Sequence, residues 1–194
     1  MRDDAMTSHC LDLHLRSDPE LAPHHLLGGL YARLHRALVQ ASSRDIGVSF
    51  PAHDERKPTL GSHVRLHGLE PSLRALMASS WLNGMRDHLH VGEIILVPVD
   101  AQHRVVSRVQ AKSSPNRLRR RAMQRHELTA EAAQERIPDG AAERLELPFV
   151  TIGSRSTGQP SFPLFIRHGE LLPEPISGSF NSYGLSRNTT VPWF

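Results

Sequence analysis

With 194 residues, 39% hydrophobic and 22% charged, the chain is long enough to bury one sizeable core or two small ones and too apolar to stay disordered. No apolar run approaches the roughly 18 residues of a membrane span, and one cysteine, Cys10, excludes an internal disulfide. The formal charge of +3 does not demand a polyanionic partner, but all of the 23 basic residues except Lys57 and Lys112 are arginine, the side chain suited to planar, bidentate contacts with phosphate or guanine.

The opening residues lack the apolar core of a signal peptide, so a cytoplasmic chain is expected. Residues 10–16, CLDLHLR, alternate apolar with polar as a half-buried strand does. Leucines at 26, 30, 34 and 38 then mark a helix over 23–41, weakened locally by Gly28-Gly29. DIGVSF (45–50) and HVRLHG (63–68) read as strands. EPSLRALMASSWL (70–82), with proline near its start, reads as a helix, and GEIILVPV (92–99) as a buried strand. The order strand, helix, strand, strand, helix, strand is that of a ferredoxin-like fold.

After residue 101 the texture changes, placing a domain boundary there, between 1–101 and 102–194. RVVSRVQAK (104–112) alternates again, with Arg108, Gln110 and Lys112 on one face. Ser114-Pro115 starts a helix carrying five arginines between Arg117 and Arg125, and Thr129 caps another that ends before Pro138. LPFVTIGS, FPLFIRHG and SFNSYGLS suggest short strands joined by loops. The fold class expected is α+β: a ferredoxin-like N-terminal domain and a smaller C-terminal α+β domain bearing an arginine-rich helix.

On a helical wheel Arg117, Arg120, Arg121, Gln124 and Arg125 form one stripe, with no acid between Arg117 and Arg125 to relieve their repulsion. Only Leu118, Ala122 and Met123 offer footing on the opposite face. A solvated face is the plain reading. The alternative is an interface for a nucleic acid, duplex or hairpin, since arginine and glutamine read guanine and adenine edges. The residues alone leave RNA and DNA open.

VSRVQAKS, RLRRRAMQRH, LPFVT, STGQ, LFIRHG, YGLS and the terminal VPWF, together with LRSDPEL, LHRALV and IGVSFP, resemble the CRISPR-associated endoribonuclease of subtype I-F over nearly the whole chain. The resemblance implies an enzyme that binds the CRISPR repeat RNA hairpin and cuts at the 3′ base of its stem without a metal or other cofactor. It leaves a 2′,3′-cyclic phosphate and a 5′-hydroxyl, and stays on its product. Its partners are then the repeat hairpin and the other subunits of the subtype I-F surveillance complex, with no membrane, and alone it is expected to be a monomer. The arginine stripe is implied to follow the stem's major groove, Arg108 and Gln110 to read base edges near its foot with Lys112 beside them, and Phe162 to stack on the closing base pair.

Metal-free cleavage requires the ribose 2′-hydroxyl to attack its own phosphate, and histidine, with an unperturbed pKa near 6.5, is the natural proton acceptor. Among the 13 histidines, His35 lies at the margin of the leucine stripe and matches the family's catalytic position. Ser154 matches the active-site serine, expected to orient the 2′-hydroxyl, and Tyr183 a positional tyrosine; Ser156 and Thr157 are weaker candidates for phosphate or ribose contacts. The chain departs from the family at Gln124, where arginine is expected, in a loop one residue longer before Phe162, at Pro163 in place of a basic residue, and in a longer N-terminus.

Three other readings compete. The chain could hold a hairpin without cutting it, in a CRISPR or transposon-associated complex, or it could be a DNA-binding module. It could instead be a metal protein built on histidines, with His88 and His90 expected on one strand face and His24 and His25 adjacent. No cysteine pair, HExxH or carboxylate cluster completes a ligand set in the sequence.

Overall fold

The computed structural model describes residues 7–110, 115–137, 146–153 and 161–194. Residues 1–108 together with 147–194 form one compact unit, and 109–146 form another. The expected boundary at 101/102 falls in the turn between the two sheets of the first unit.

The first sheet consists of β1 (His9–Leu15), β2 (Gly47–Ser49), β3 (His63–Gly68) and β4 (Leu89–Leu96), ordered β2-β3-β1-β4. The strand pairs are antiparallel. Helix α1 (Pro23–Gln40) joins β1 to β2, and α2 (Glu70–Ala78) joins β3 to β4. This is the ferredoxin-like βαββαβ arrangement. Alternation along β1 buries Leu11, Leu13 and Leu15, which share the core with Leu26, Leu30, Leu34 and Leu38 of α1 and Leu73 and Leu76 of α2. Asp12 and His14 point to the opposite face.

The second sheet contains β5 (Gln102–Val109), β6 (Phe149–Ile152), β7 (Phe162–His168) and β8 (Thr190–Trp193), ordered β6-β7-β5-β8. Pro192 is tolerated in β8 because that strand is at an edge, where a missing N–H breaks no interior ladder. In the second unit α3 (Pro115–His126) packs on α4 (Ala130–Arg136). Thr129 caps α4 by accepting from the Ala132 N–H at 3.3 Å, as its position predicts.

Several sequence expectations need correcting. Helix α2 stops at Ala78 rather than 82: Ser79 leaves helical geometry, and its hydroxyl donates to the Leu76 carbonyl at 2.6 Å. The apolar run at 92–99 is not a buried strand; β4 is an edge, and Ile95, Leu96 and Val99 are exposed. SFNSYGLS is a turn rather than a strand. His88 does not share a strand face with His90; it ends a 3-10 turn at Arg86–His88 and pairs with Asp18 at 3.1 Å.

Gly28, read from sequence as a weak point, is a packing requirement. There α1 runs against the backbone of β6, and a Cβ on residue 28 would sit inside the envelope of the Thr151 carbonyl. Replacing Gly28 with alanine should therefore lower the melting temperature, although alanine favours an isolated helix by about 1 kcal/mol. A thermal melt of Gly28→Ala equal to or above that of the parent chain would contradict this packing.

Two buried histidines bear on acid stability. His67 is fully buried with Nε2 2.8 Å from Ser49 Oγ, and burial, reinforced by Arg65, pushes its pKa down to about 3. His168 is buried against His53 and is likewise pushed down to about 3 by burial, then by His53 and Arg104. Both rings protonate near pH 6.5 in the unfolded chain but only near pH 3 in the folded one. Between those values the unfolded state binds more protons, so stability falls as pH drops, by up to about 2.7 kcal/mol per pH unit for two such groups. Urea denaturation at pH 7, 6 and 5 should show this loss, and His168→Phe should flatten it; equal stability at pH 7 and 5 would refute it.

Candidate active site

His35 stands one helical turn after Tyr31 on α1, so the two side chains share a face. Each holds a consecutive carbonyl of one loop: Tyr31 O–H donates to Tyr183 O at 2.7 Å, and His35 Nδ1 donates to Ser182 O at 2.8 Å. The His35 ring also lies flat on the Tyr183 ring, centroids 3.9 Å apart and planes 6° from parallel. Such a stack contributes about 0.5–1.5 kcal/mol beyond buried area. Tyr31 is fully buried, and burial raises its phenol pKa well above the ordinary value, so it remains a donor.

The loop is rigidly built. Asn181 Oδ1 accepts from the backbone N–H groups of Tyr183 and Leu185 at 2.8 and 3.2 Å, and Asn181 O from Gly184 at 2.8 Å. Residue 184 has φ of 69° and packs so closely on Val48 that only glycine fits. Its carbonyl accepts from Val48 N–H on β2 at 2.8 Å, and Ser186 N–H donates to Val106 O on β5 at 3.0 Å. The loop thus ties the two sheets of this unit to α1.

The bond to Ser182 sets the tautomer of His35. A carbonyl can only accept, so Nδ1 carries the hydrogen and the neutral ring has its lone pair on Nε2. The half-buried ring is held in one orientation with one nitrogen able to take a proton.

Arg108, on β5, brings a cation to the same place. Its guanidinium carbon lies 5.7 Å from the Tyr183 ring centroid and 5.8 Å from that of Phe162, the first residue of β7. These distances are near the outer limit of a cation–π contact, worth about 0.5–1 kcal/mol. His35, Tyr183, Arg108 and Phe162, predicted from positions up to 148 residues apart in sequence, are therefore gathered on one unit.

The other predicted residues are placed as follows. Ser154, Ser156, Thr157 and Lys112 lie outside the described residues. Gln110 is exposed just beyond the end of β5. On α3, Arg120, Arg121, Gln124 and Arg125 are exposed, whereas Leu118, Arg119, Ala122 and Met123 are half-buried; the backbone of Arg117 belongs to the same helix.

Sequence reasoning missed Tyr31, Asn181 and the Ser182 carbonyl. Asn181 and Gly184 at a tight spacing were a legible turn signal, and Tyr31 four residues before His35 was a legible neighbour. The carbonyl carries no sequence signal. Arg119 was also missed as a structural residue: its Nε donates to Ile137 O at 2.8 Å, so it secures the end of α4 rather than joining the exposed stripe.

Residues 10–194 match the family model described as CRISPR-associated protein (Cas_Csy4). The chain is 53% identical over 186 residues, covering 96% of it and 99% of the relative, to a protein of Pseudomonas aeruginosa (strain UCBPP-PA14) named CRISPR-associated endonuclease Cas6/Csy4. It is 45% identical over 186 residues, with the same two coverages, to a protein of that name from Escherichia coli (strain UTI89 / UPEC). With the ferredoxin-like sheet and the match extending over nearly the whole length, the chain belongs to the Cas_Csy4 family of CRISPR-associated proteins.

Proposed function

We propose that the chain is a metal-independent endoribonuclease that binds the CRISPR repeat RNA hairpin, cuts at the 3′ base of its stem to give mature guide RNA, and stays on the product. Two relatives named as CRISPR-associated endonucleases support the reaction class. The observation that carries the mechanism is the fixed tautomer of His35, with Nδ1–H on Ser182 O.

In this mechanism Nε2 of His35 takes the proton of the ribose 2′-hydroxyl. The resulting oxygen attacks the adjacent phosphorus and the bond to the next nucleotide's 5′-oxygen breaks. That oxygen takes up a proton from water and leaves as a 5′-hydroxyl, while the 2′,3′-cyclic phosphate remains. Protonation of His35 leaves its bond to Ser182 intact, since Nδ1 donates in both states. Tyr183 serves as the platform that fixes the ring, and Ser154 orients the 2′-hydroxyl with Ser156 and Thr157 contacting phosphate or ribose.

Phe162 stacks on the closing base pair, and Arg108, beside it, reads a base edge together with Gln110 and Lys112. The stripe of Arg117, Arg120, Arg121, Gln124 and Arg125 follows the phosphates of the stem. Functionally, 1–101 supplies the histidine, and 102–194 supplies the hairpin-binding surface and the serine. No helix among the described residues is long and apolar enough to cross a membrane. We place the chain in the cytoplasm, monomeric when alone and bound to the other surveillance-complex subunits when assembled.

His35→Ala should abolish cutting of a labelled repeat hairpin in EDTA while leaving its Kd within about threefold, because a proton acceptor adds little to ground-state affinity. A 2′-deoxy substitution at the cut site should do the same to the unmutated protein. Equal loss of binding and cutting in His35→Ala would remove the catalytic assignment, and binding without cutting of the all-RNA hairpin would make the chain a hairpin holder. Arg121→Ala should weaken binding and reduce the slope of log Kd against log salt by about one. An unchanged slope would detach Arg121 from the phosphate backbone.

A further inference from the structure

A row of three histidines crosses the first sheet, away from the His35 site. Register pairs His14 of β1 with His63 of β3 on one side and with His90 of β4 on the other. Opposed residues of antiparallel strands project to the same face, and this is the face that turns away from the leucines packed on α1 and α2. The His14 and His63 rings stack with centroids 4.0 Å apart, and His14 and His90 are 6.5 Å apart. Ligand atoms of Asp12, His14 and His63 lie within 4.8 Å of one another.

Asp12 is already committed. Arg65 Nε donates to Oδ1 at 2.7 Å and Nη2 to Oδ2 at 3.0 Å, while His63 Nε2 donates to Oδ1 at 2.7 Å. An ionised carboxylate that accepts from one ring nitrogen and leaves the other for a metal is the usual second layer of a histidine–metal site. With Nε2 bound to Asp12, neutral His63 has its lone pair on Nδ1. Neither ring nitrogen of His14 or His90 has a hydrogen-bond partner among the described residues.

We propose that His14, His63 and His90 bind one divalent transition-metal ion of the nitrogen-preferring class (zinc, nickel or copper), with Asp12 orienting His63 rather than ligating. Imidazole nitrogens bind such ions at about 2.0–2.1 Å. Neighbouring strands are about 4.8 Å apart, so a cation at Nδ1 of His63 is within reach of His14 and His90 when those two rings turn toward it while His63 keeps its bond to Asp12. The ion is structural: it clasps β3, β1 and β4 together and has no part in the His35 reaction. Three ligands on three strands have no sequence spacing to betray them.

The test uses the full chain without a histidine tag, stripped with EDTA, exchanged into chelator-free buffer and titrated with zinc chloride at pH 7.5 by calorimetry. One equivalent is expected to bind, and a hundredfold excess over Kd should raise the melting temperature by about 6 °C. His14→Gln, His63→Gln and His90→Gln should each weaken binding at least tenfold, with His24→Gln unchanged. Because a variant could misfold, the copper(II) complex of the unmutated chain provides an independent reading. An electron paramagnetic resonance pattern from three nitrogen ligands supports the site, and two or fewer overturns it. Absence of binding, or zinc affinity unchanged in the His14 and His63 variants, also overturns it.

Discussion

Everything distinctive about this molecule's candidate site hangs on two hydrogen bonds made by one helix face. Tyr31 and His35, four residues apart on α1, each donate to a carbonyl of the same loop, at Tyr183 and Ser182. Remove that clamp and the histidine loses its orientation, its tautomer and its aromatic platform together. The helix can impose it because the adjoining face is anchored: Leu26, Leu30, Leu34 and Leu38 are all buried, and Gly28, two turns before His35, lets the helix settle onto β6. A well-packed leucine stripe thus turns into precise placement of a polar ring at the stripe's margin.

How much of this the sequence disclosed depends on whether the cause was local. The leucine period of α1 and the alternation of β1 and β3 are local patterns, and with the element order they identified the ferredoxin-like sheet. The end of α2 was misread because a single hydroxyl, Ser79, competes for a helix carbonyl. The exposure of Ile95 and Leu96 was misread because an apolar run looks the same at a sheet's edge as at its centre. The 181–185 turn was taken for a strand because its aromatic and glycine residues fit either reading until Asn181 is seen bonding two backbone N–H groups.

The site divides the same way. His35 and Tyr183 were singled out as candidates by resemblance, and no periodicity would have paired residues 148 positions apart. What fixes them is a backbone oxygen, which no side-chain pattern can encode. On α3 the wheel separated the exposed residues 120, 121, 124 and 125 from Leu118, Ala122 and Met123, because amphipathic spacing is the kind of signal a sequence carries. It could not say that Arg119 holds Ile137. Counting arginines therefore overstates the charge that α3 presents to a ligand.

The bond from Val48 N–H to the Gly184 carbonyl has a consequence beyond positioning Tyr183. Strand β2 is the outer strand of its sheet, and an outer strand with free N–H groups is a template for pairing with another chain. The loop that holds His35 covers part of that template. Any excursion large enough to dismantle the site also uncovers a strand edge, so the pressure to keep the histidine in place and the pressure to stay unaggregated act on the same few residues.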